Sequence, residues 1–249
     1  RMGRIVHPRG MMTVELPHRA VVIDMRRPVL GFPERKLSYK FMAAEAFWIL
    51  SGDETVAGIE PWNKNIAKFS DDGVKFAGAY GPRIHESLAY TVDKLVTDPD
   101  TRQAGFTIWR NNPAPTRDYP CTVACWFQIR GGYLEMHVFM RSSDIWLGLP
   151  YDLFNFSMLG HYVTAMLRAH EQYQHLEPGN LFLTAASSHL YEEHFEAAQT
   201  IIEHGTFVPM YPTPEKLFST ETALMDHLKQ LRDSKPGDLL RWWEYENHA

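Results

Sequence analysis

Cysteine is scarce in this chain. Only Cys121 and Cys125 occur, four apart in a strand-like segment. That makes neither a disulfide framework nor a zinc-ligand set, and a reducing cytoplasm is the simplest compartment. Excess positive charge is missing too: the formal net charge is -5, which argues against a general nucleic-acid binder but not against an enzyme acting on single nucleotides. No apolar run reaches transmembrane length, and the first residues carry no apolar signal core. There is no internal repeat and no low-complexity linker. The 249 residues, 45% of them hydrophobic, suffice for one large core, so residues 1–249 are read as a single domain. The one metal-like string, His189 to His194, matches neither established zinc-helix pattern and sets its histidines five apart, off a common face. No metal site is expected.

What the chain does contain is a mixed pattern of strands and helices. Residues 1–36 alternate short apolar runs, Met11 to Val14 and Val21 to Ile23, with arginines, and read as strands joined by turns; Arg9 and Gly10 sit in the first turn. Ser38 caps a helix to about Leu50, ended by Gly52. Glu45 lies within that helix's apolar stripe of Phe41, Met42, Trp48 and Ile49. Desolvation there would raise its pKa toward that of a neutral-pH acid–base group; a glutamate at the stripe's rim has the same spacing. Trp62 and the run Ala79 to Arg83 read as loop, with a short helix over 86–97. A long apolar helix is expected from about Tyr151 to Tyr173, a short strand from Leu181 to Ala185, and a helix capped by Ser187 and Ser188 that begins at His189. Beyond Thr206 the chain is proline-punctuated, then a charged helix, then Trp242 and Trp243, expected as core or interface.

The most informative segment is a hairpin. Thr122 to Arg130 and Tyr133 to Arg141 alternate as strands around Gly131-Gly132, a two-residue turn. Pairing Arg130 with Tyr133 sets Cys121 opposite Ser142 and Thr122 opposite Arg141, with paired Cβ atoms roughly 4.5–5.5 Å apart. A bulge would shift the faces but keep the neighbourhood. Cys121 thus reaches the sheet end that carries Arg141, Ser142 and Asp144. Arginine and hydroxyls at a strand end make a phosphate seat, and a thiol beside arginine is drawn toward thiolate. Cys125, four residues deeper, reads as core. A tight Leu147-Gly148-Leu149-Pro150 turn follows, and Asp152 opens the next helix.

Pro120-Cys121, the step to Arg141-Ser142, Asp144, the Leu147 to Pro150 turn and His189-Leu190-Tyr191 together resemble the thymidylate synthase family. The resemblance extends to Glu45-Ala-Phe-Trp48, Trp62, Tyr80-Gly81 and Asp100-Thr101-Arg102, and covers most of residues 5–205. It implies an α/β (α+β) fold with a bent mixed sheet and packed helices, dimerised through sheet faces. It also implies that Cys121 attacks C6 of a pyrimidine nucleotide while Glu45 orders water and moves protons. Arg9, Arg141 and Ser142 would hold the phosphate, joined by Arg102 from the partner of a homodimer. His189 and Tyr191 would hold the sugar 3′ hydroxyl. Trp62, Tyr80, Asp144 and Gly148 would line the folate and nucleobase side, with 5,10-methylenetetrahydrofolate as cosubstrate.

The chain departs from the family pattern at four places: Asp152 stands where asparagine is usual, Thr122 where histidine follows the nucleophile, Gln103 in an arginine pair, and Asn65 for the second of two tryptophans. Asp152, Thr122 and Met140 resemble the pyrimidine hydroxymethylase branch. A protonated Asp152 can donate to cytosine N3 and accept from N4, or a carboxylate can pair with an N3-protonated base; against a carboxylate, uracil O4 faces an acceptor. A helix start favours the anion, and burial favours the acid. The expected function is cytidylate 5-hydroxymethylation. The alternatives are deoxyuridylate methylation, deoxyuridylate hydroxymethylation, and nucleotide binding without catalysis.

Overall fold

The computed structural model describes residues 3–205, 210, 213 and 218–234. Trp242, Trp243 and most of the proline-punctuated stretch lie outside the described residues. The elements in chain order are β1 (Arg4–Val6), β2 (Thr13–Asp24), α1 (Tyr39–Leu50), α2 (Tyr80–Thr97), β3 (Gly105–Thr107), β4 (Thr122–Arg130), β5 (Tyr133–Asp144), α3 (Leu149–Arg168), β6 (Glu177–Tyr191), α4 (Phe195–His204) and α5 (Glu221–Asp233). The strands form one mixed sheet, ordered β1-β2-β6-β5-β4-β3. Every pairing is antiparallel except β5 with β6. A parallel pair needs a long crossover, and α3 supplies it. The turn into α3 therefore lies at the carboxyl end of β5.

One face of the sheet is the core. Cys125 and Phe127 of β4, Leu134, Met136, Val138 and Met140 of β5, and Leu181, Leu183 and Ala185 of β6 are all buried. They join the cluster formed with Phe154, Met158, Leu159 and Val163 of α3 and the apolar side of α1. The opposite face is more open. There Trp126 pairs with His137, His137 with Phe182 and Phe182 with Val22, a row across four strands. In the neighbouring row, Phe139 is 46% exposed.

Several elements differ from the sequence reading. The two apolar runs near the N-terminus are the ends of one long strand, β1 being a separate three-residue edge. The expected helix at His189 is the last part of β6: the Ser187 hydroxyl donates to Glu15 Oε2 across the sheet (2.7 Å) instead of capping a helix. Tyr80 to Arg83 are not loop but the first turn of α2, where Pro82 is tolerated. The long helix starts at Leu149, two residues early, and ends at Arg168. The Ser38 cap holds, its hydroxyl accepting from the Phe41 amide (3.3 Å), and Gly52 follows at φ 76°. The hairpin holds as well, with a bulge between Thr122 and Ala124 that sets Thr122 opposite Met140.

Gly81 fixes where α2 begins. A Cβ on it would lie 2.8 Å from the Ile49 carbonyl oxygen and 2.9 Å from the Gly52 Cα, so the first turn of α2 rests directly on the end of α1. Those neighbours are backbone and cannot swing aside. We expect Gly81→Ala to cost about 1–3 kcal/mol of unfolding free energy, measured by urea denaturation. An unchanged midpoint would mean that the contact yields freely.

Candidate active site

Cys121 sits just ahead of β4, half-buried. Its backbone carbonyl accepts from the Arg141 amide (2.9 Å), which brings the two residues face to face across the bulge. The Arg141 guanidinium is fastened to the segment leading to the thiol. Its Nε donates to the Pro120 carbonyl (2.9 Å) and its Nη2 to the Tyr119 carbonyl (3.1 Å), leaving Nη2 3.9 Å from Cys121 Sγ. Arg9, in a left-handed turn at φ 52°, adds positive potential at the same sulfur. The expectation of a readily formed thiolate is corrected here. Burial is the largest influence and raises the Cys121 pKa, Arg141 opposes it, and Asp152 reinforces it. Cys125 is core as expected, and burial pushes its thiol far up.

Tyr80 links this strand to the helices. Its hydroxyl accepts from the Thr122 amide (3.2 Å) and the Thr122 hydroxyl (3.1 Å), and its ring stacks on Phe156 of α3. Burial, with the nearby Asp152 and Cys121, pushes the phenol up. So Thr122, the residue after Cys121, is used to hold Tyr80.

On the helix side are two carboxyls. Burial raises Glu45 to about 7, against a hydrogen bond from Asn155 Nδ2 to Oε2 (2.7 Å). Burial, and then Glu45 and Asp144, raise Asp152 to about 8. Asp152 lies in the first turn of α3, where the helix dipole favours its anion; desolvation wins. Its carboxyl has no hydrogen-bond partner among the described residues. The backbone of Gly148 lies against it: a Cβ there would be 3.4 Å from Asp152 Oδ2.

The strand ends carry the remaining polar groups. Ser142 pairs with Ser187, and Asp144 with His189. Asp144 Oδ1 accepts from the Trp146 and Leu147 amides (2.8 and 2.9 Å), and no bond to Oδ2 occurs among the described residues. His189 packs edge-on to Tyr191 (5.4 Å), and its buried Nδ1 lacks a partner among the described residues, as does the Ser143 hydroxyl.

Two expected residues stand apart from this cluster. Arg102 is exposed, and its carbonyl accepts from Trp126 Nε1 (3.2 Å). That places it beside the open sheet face, well along β4 from its own Cys121. Trp62 is fastened to α5, donating to the Arg232 carbonyl (3.2 Å) with the Arg232 guanidinium over its ring (4.8 Å) and over that of Phe47 (4.6 Å). Sequence reasoning missed Asn155, which no local pattern marks. It also missed Arg35, which donates to the Trp146 carbonyl and stacks 3.6 Å over the Trp146 ring.

The thymidylate synthase family model matches residues 4–235. The chain belongs to the thymidylate synthase family. Among its curated relatives, the chain is 30% identical to a deoxyuridylate hydroxymethyltransferase of Bacillus phage SP01, over 80% of this chain and 55% of that protein. It is 27% identical to the thymidylate synthase of Enterobacteria phage T4, over 69% of this chain and 66% of that one. The chain thus spans between half and two thirds of the length of these relatives. The crystal structure of T4 phage thymidylate synthase superposes with a TM-score of 0.69 at 23% identity, covering 89% of this chain and 85% of that one, which establishes the mixed α/β thymidylate synthase fold. No described helix is long and apolar enough to cross a membrane. Among the described residues no group of three or more His, Cys, Asp or Glu could hold a metal ion.

The buried acid at Asp152 has a cost that depends on pH. Its folded pKa of about 8 lies above the ordinary 3.8, so the carboxyl is no burden below the lower value. As pH rises, the unfolded chain ionises first, and stability falls until the folded protein also ionises near pH 8. A shift of this size is worth several kcal/mol if unscreened; Asp152 retains some exposure, which discounts it. We expect Asp152→Asn to add about 1–3 kcal/mol at pH 8 and almost nothing near pH 4, measured by urea denaturation at both. An equal gain at both pH values would show that ionisation is not the cause.

Proposed function

We propose that this chain is a cytidylate 5-hydroxymethylase, a single catalytic domain that moves a one-carbon unit to C5 of deoxycytidylate or cytidylate. Cys121 adds to C6 and makes C5 nucleophilic. Arg141, 3.9 Å from the sulfur, supports the thiolate as it forms. With Arg9 and Ser142 it also holds the phosphate. His189 and Tyr191 hold the sugar 3′ hydroxyl. Methylenetetrahydrofolate supplies the carbon at the formaldehyde oxidation level. The groups on its side of the site fit that ligand: an uncommitted Asp144 oxygen, the glycine backbone at Gly148 and the aromatic wall of Tyr80. Glu45, raised to about 7, can take or give a proton at neutral pH.

The observation that carries the base assignment is Asp152, raised to about 8 with no hydrogen-bond partner among the described residues. A neutral carboxylic acid donates to cytosine N3 while its other oxygen accepts from N4. Once ionised, the same group sets an acceptor against uracil O4. Such an unmatched buried polar pair costs about 1–3 kcal/mol, which corresponds to roughly tenfold or more. A second reading, deoxyuridylate hydroxymethylation, is favoured by the name of the SP01 phage relative.

Steady-state kinetics with each pyrimidine monophosphate, products identified by mass, decide between them. We expect deoxycytidylate to be preferred about tenfold or more in kcat/KM, with Asp152→Asn moving preference toward deoxyuridylate and tetrahydrofolate as the folate product. Equal or faster turnover of deoxyuridylate would support the second reading. Dihydrofolate formed in step with product would instead indicate methylation.

The proposal includes a homodimer joined through the open sheet face. The apolar row there, with Val22 56% exposed, supports it. So does Arg102, exposed beside that face and remote from its own nucleophile, where it can serve the partner's phosphate. Mixing Arg102→Ala with Cys121→Ala, each inactive alone, should restore up to about a quarter of native activity by random exchange into hybrid dimers with one intact site. No recovery after demonstrated subunit exchange would argue against shared sites.

A further inference from the structure

Helix α3 carries four buried polar side chains, and three stay close to backbone. The Ser157 hydroxyl donates to the Leu153 carbonyl (2.7 Å), that of Thr164 to the Gly160 carbonyl (2.8 Å), and His161 Nε2 meets the Met25 carbonyl (3.1 Å). Asn155 behaves differently. It crosses to α1 and gives its amide hydrogen to Glu45 Oε2 at 2.7 Å. Its Oδ1 is buried without a partner among the described residues, although the whole residue is only 7% exposed. An orphaned buried acceptor costs about 1–3 kcal/mol and calls for a donor. The reverse amide orientation would set two oxygens against each other once Glu45 ionises. Asn155 also follows Asp152 by three residues, which puts both on the same side of α3.

We propose that Asn155 is a positioning residue for water addition: its amide fixes Glu45 through Oε2, and its carbonyl, with the other Glu45 oxygen, seats the attacking water. This rests on the hydroxymethylase reading above. In the step, one water hydrogen points to Asn155 Oδ1 and the other to Glu45. The water oxygen bonds to the exocyclic methylene carbon at C5. The methylene π electrons move into the ring, the C5–C6 double bond re-forms, and the Cys121 thiolate leaves C6 with its electron pair. The water proton passes to Glu45. Nothing is oxidised or reduced. The same hydrogen bond holds the Glu45 pKa down against burial, which keeps a useful fraction in the base form. Asp152 and Tyr151 are the titratable groups that interact with Glu45, and both lie on α3.

The test uses Asn155→Ala and the isosteric Asn155→Asp, which decides the matter if the alanine variant does not fold. The first readout needs no substrate: the Glu45 carboxyl titration, taken by infrared difference against Glu45→Gln. Its midpoint should move to higher pH in both variants. The second readout is turnover. We expect kcat to fall about 10- to 100-fold in Asn155→Ala, with nucleotide KM changed less than about threefold and the acid limb of the kcat profile displaced to higher pH. Release of the C5 hydrogen should outlast product formation, and an added thiol should intercept the unhydrated methylene as a 5-thioether. A Glu45 midpoint unmoved in both variants overturns the assignment, as does kcat within twofold of native with no thioether. If the native protein releases no C5 hydrogen from any pyrimidine nucleotide, the hydroxymethylase reading and the water role fall together, while the titration still decides whether Asn155 positions Glu45.

Discussion

Two carboxyls on facing helices, Glu45 of α1 and Asp152 of α3, are pressed into one desolvated space, and the rest of the site is arranged around that constraint. Neither can ionise without raising the cost for the other. The pair therefore keeps a proton at neutral pH that isolated carboxyls would have lost. Packing sustains this: most of α3 is buried between the sheet and α1, which holds the two carboxyls close together.

The strand side of the site is built on a different principle. The single parallel pairing, β5 with β6, brings Arg141 to Asp144 alongside Ala186 to His189 at the same sheet end. The antiparallel hairpin brings Cys121 there from the other side. In the proposed mechanism, proton chemistry thus comes from the helices, while anion binding and the nucleophile come from the strands. Tyr80, at the start of α2, ties the halves together through Thr122 and Phe156.

What could be read from the sequence follows from how local each signal is. The β4–β5 hairpin was legible because Gly131-Gly132 and the flanking alternation fix both turn and register. Its bulge was not, since an extra residue near Thr122 leaves the apolar pattern intact. The His189 segment misled because two serines before a mixed run look like a helix cap, whereas Ser187 bonds to Glu15, distant in sequence. Gly81 looked like a loop glycine because the close approach to Ile49 and Gly52 is tertiary. The direction of the Cys121 shift needed the balance of burial against Arg141, which spacing cannot supply. Asn155 was invisible because its partner is 110 positions away.

The guanidinium of Arg141 has consequences for how the thiol can be addressed. Because it grips the carbonyls of Pro120 and Tyr119, the Cys121 thiol and the proposed anion seat form one rigid unit with a fixed separation. A small electrophile that touches only the sulfur meets a protonated, partly sheltered thiol. A reagent that also carries a suitably spaced anion engages both ends of the unit and gains the effective concentration of an intramolecular reaction. Covalent selectivity at this cysteine is therefore set by the span of the reagent more than by its intrinsic reactivity.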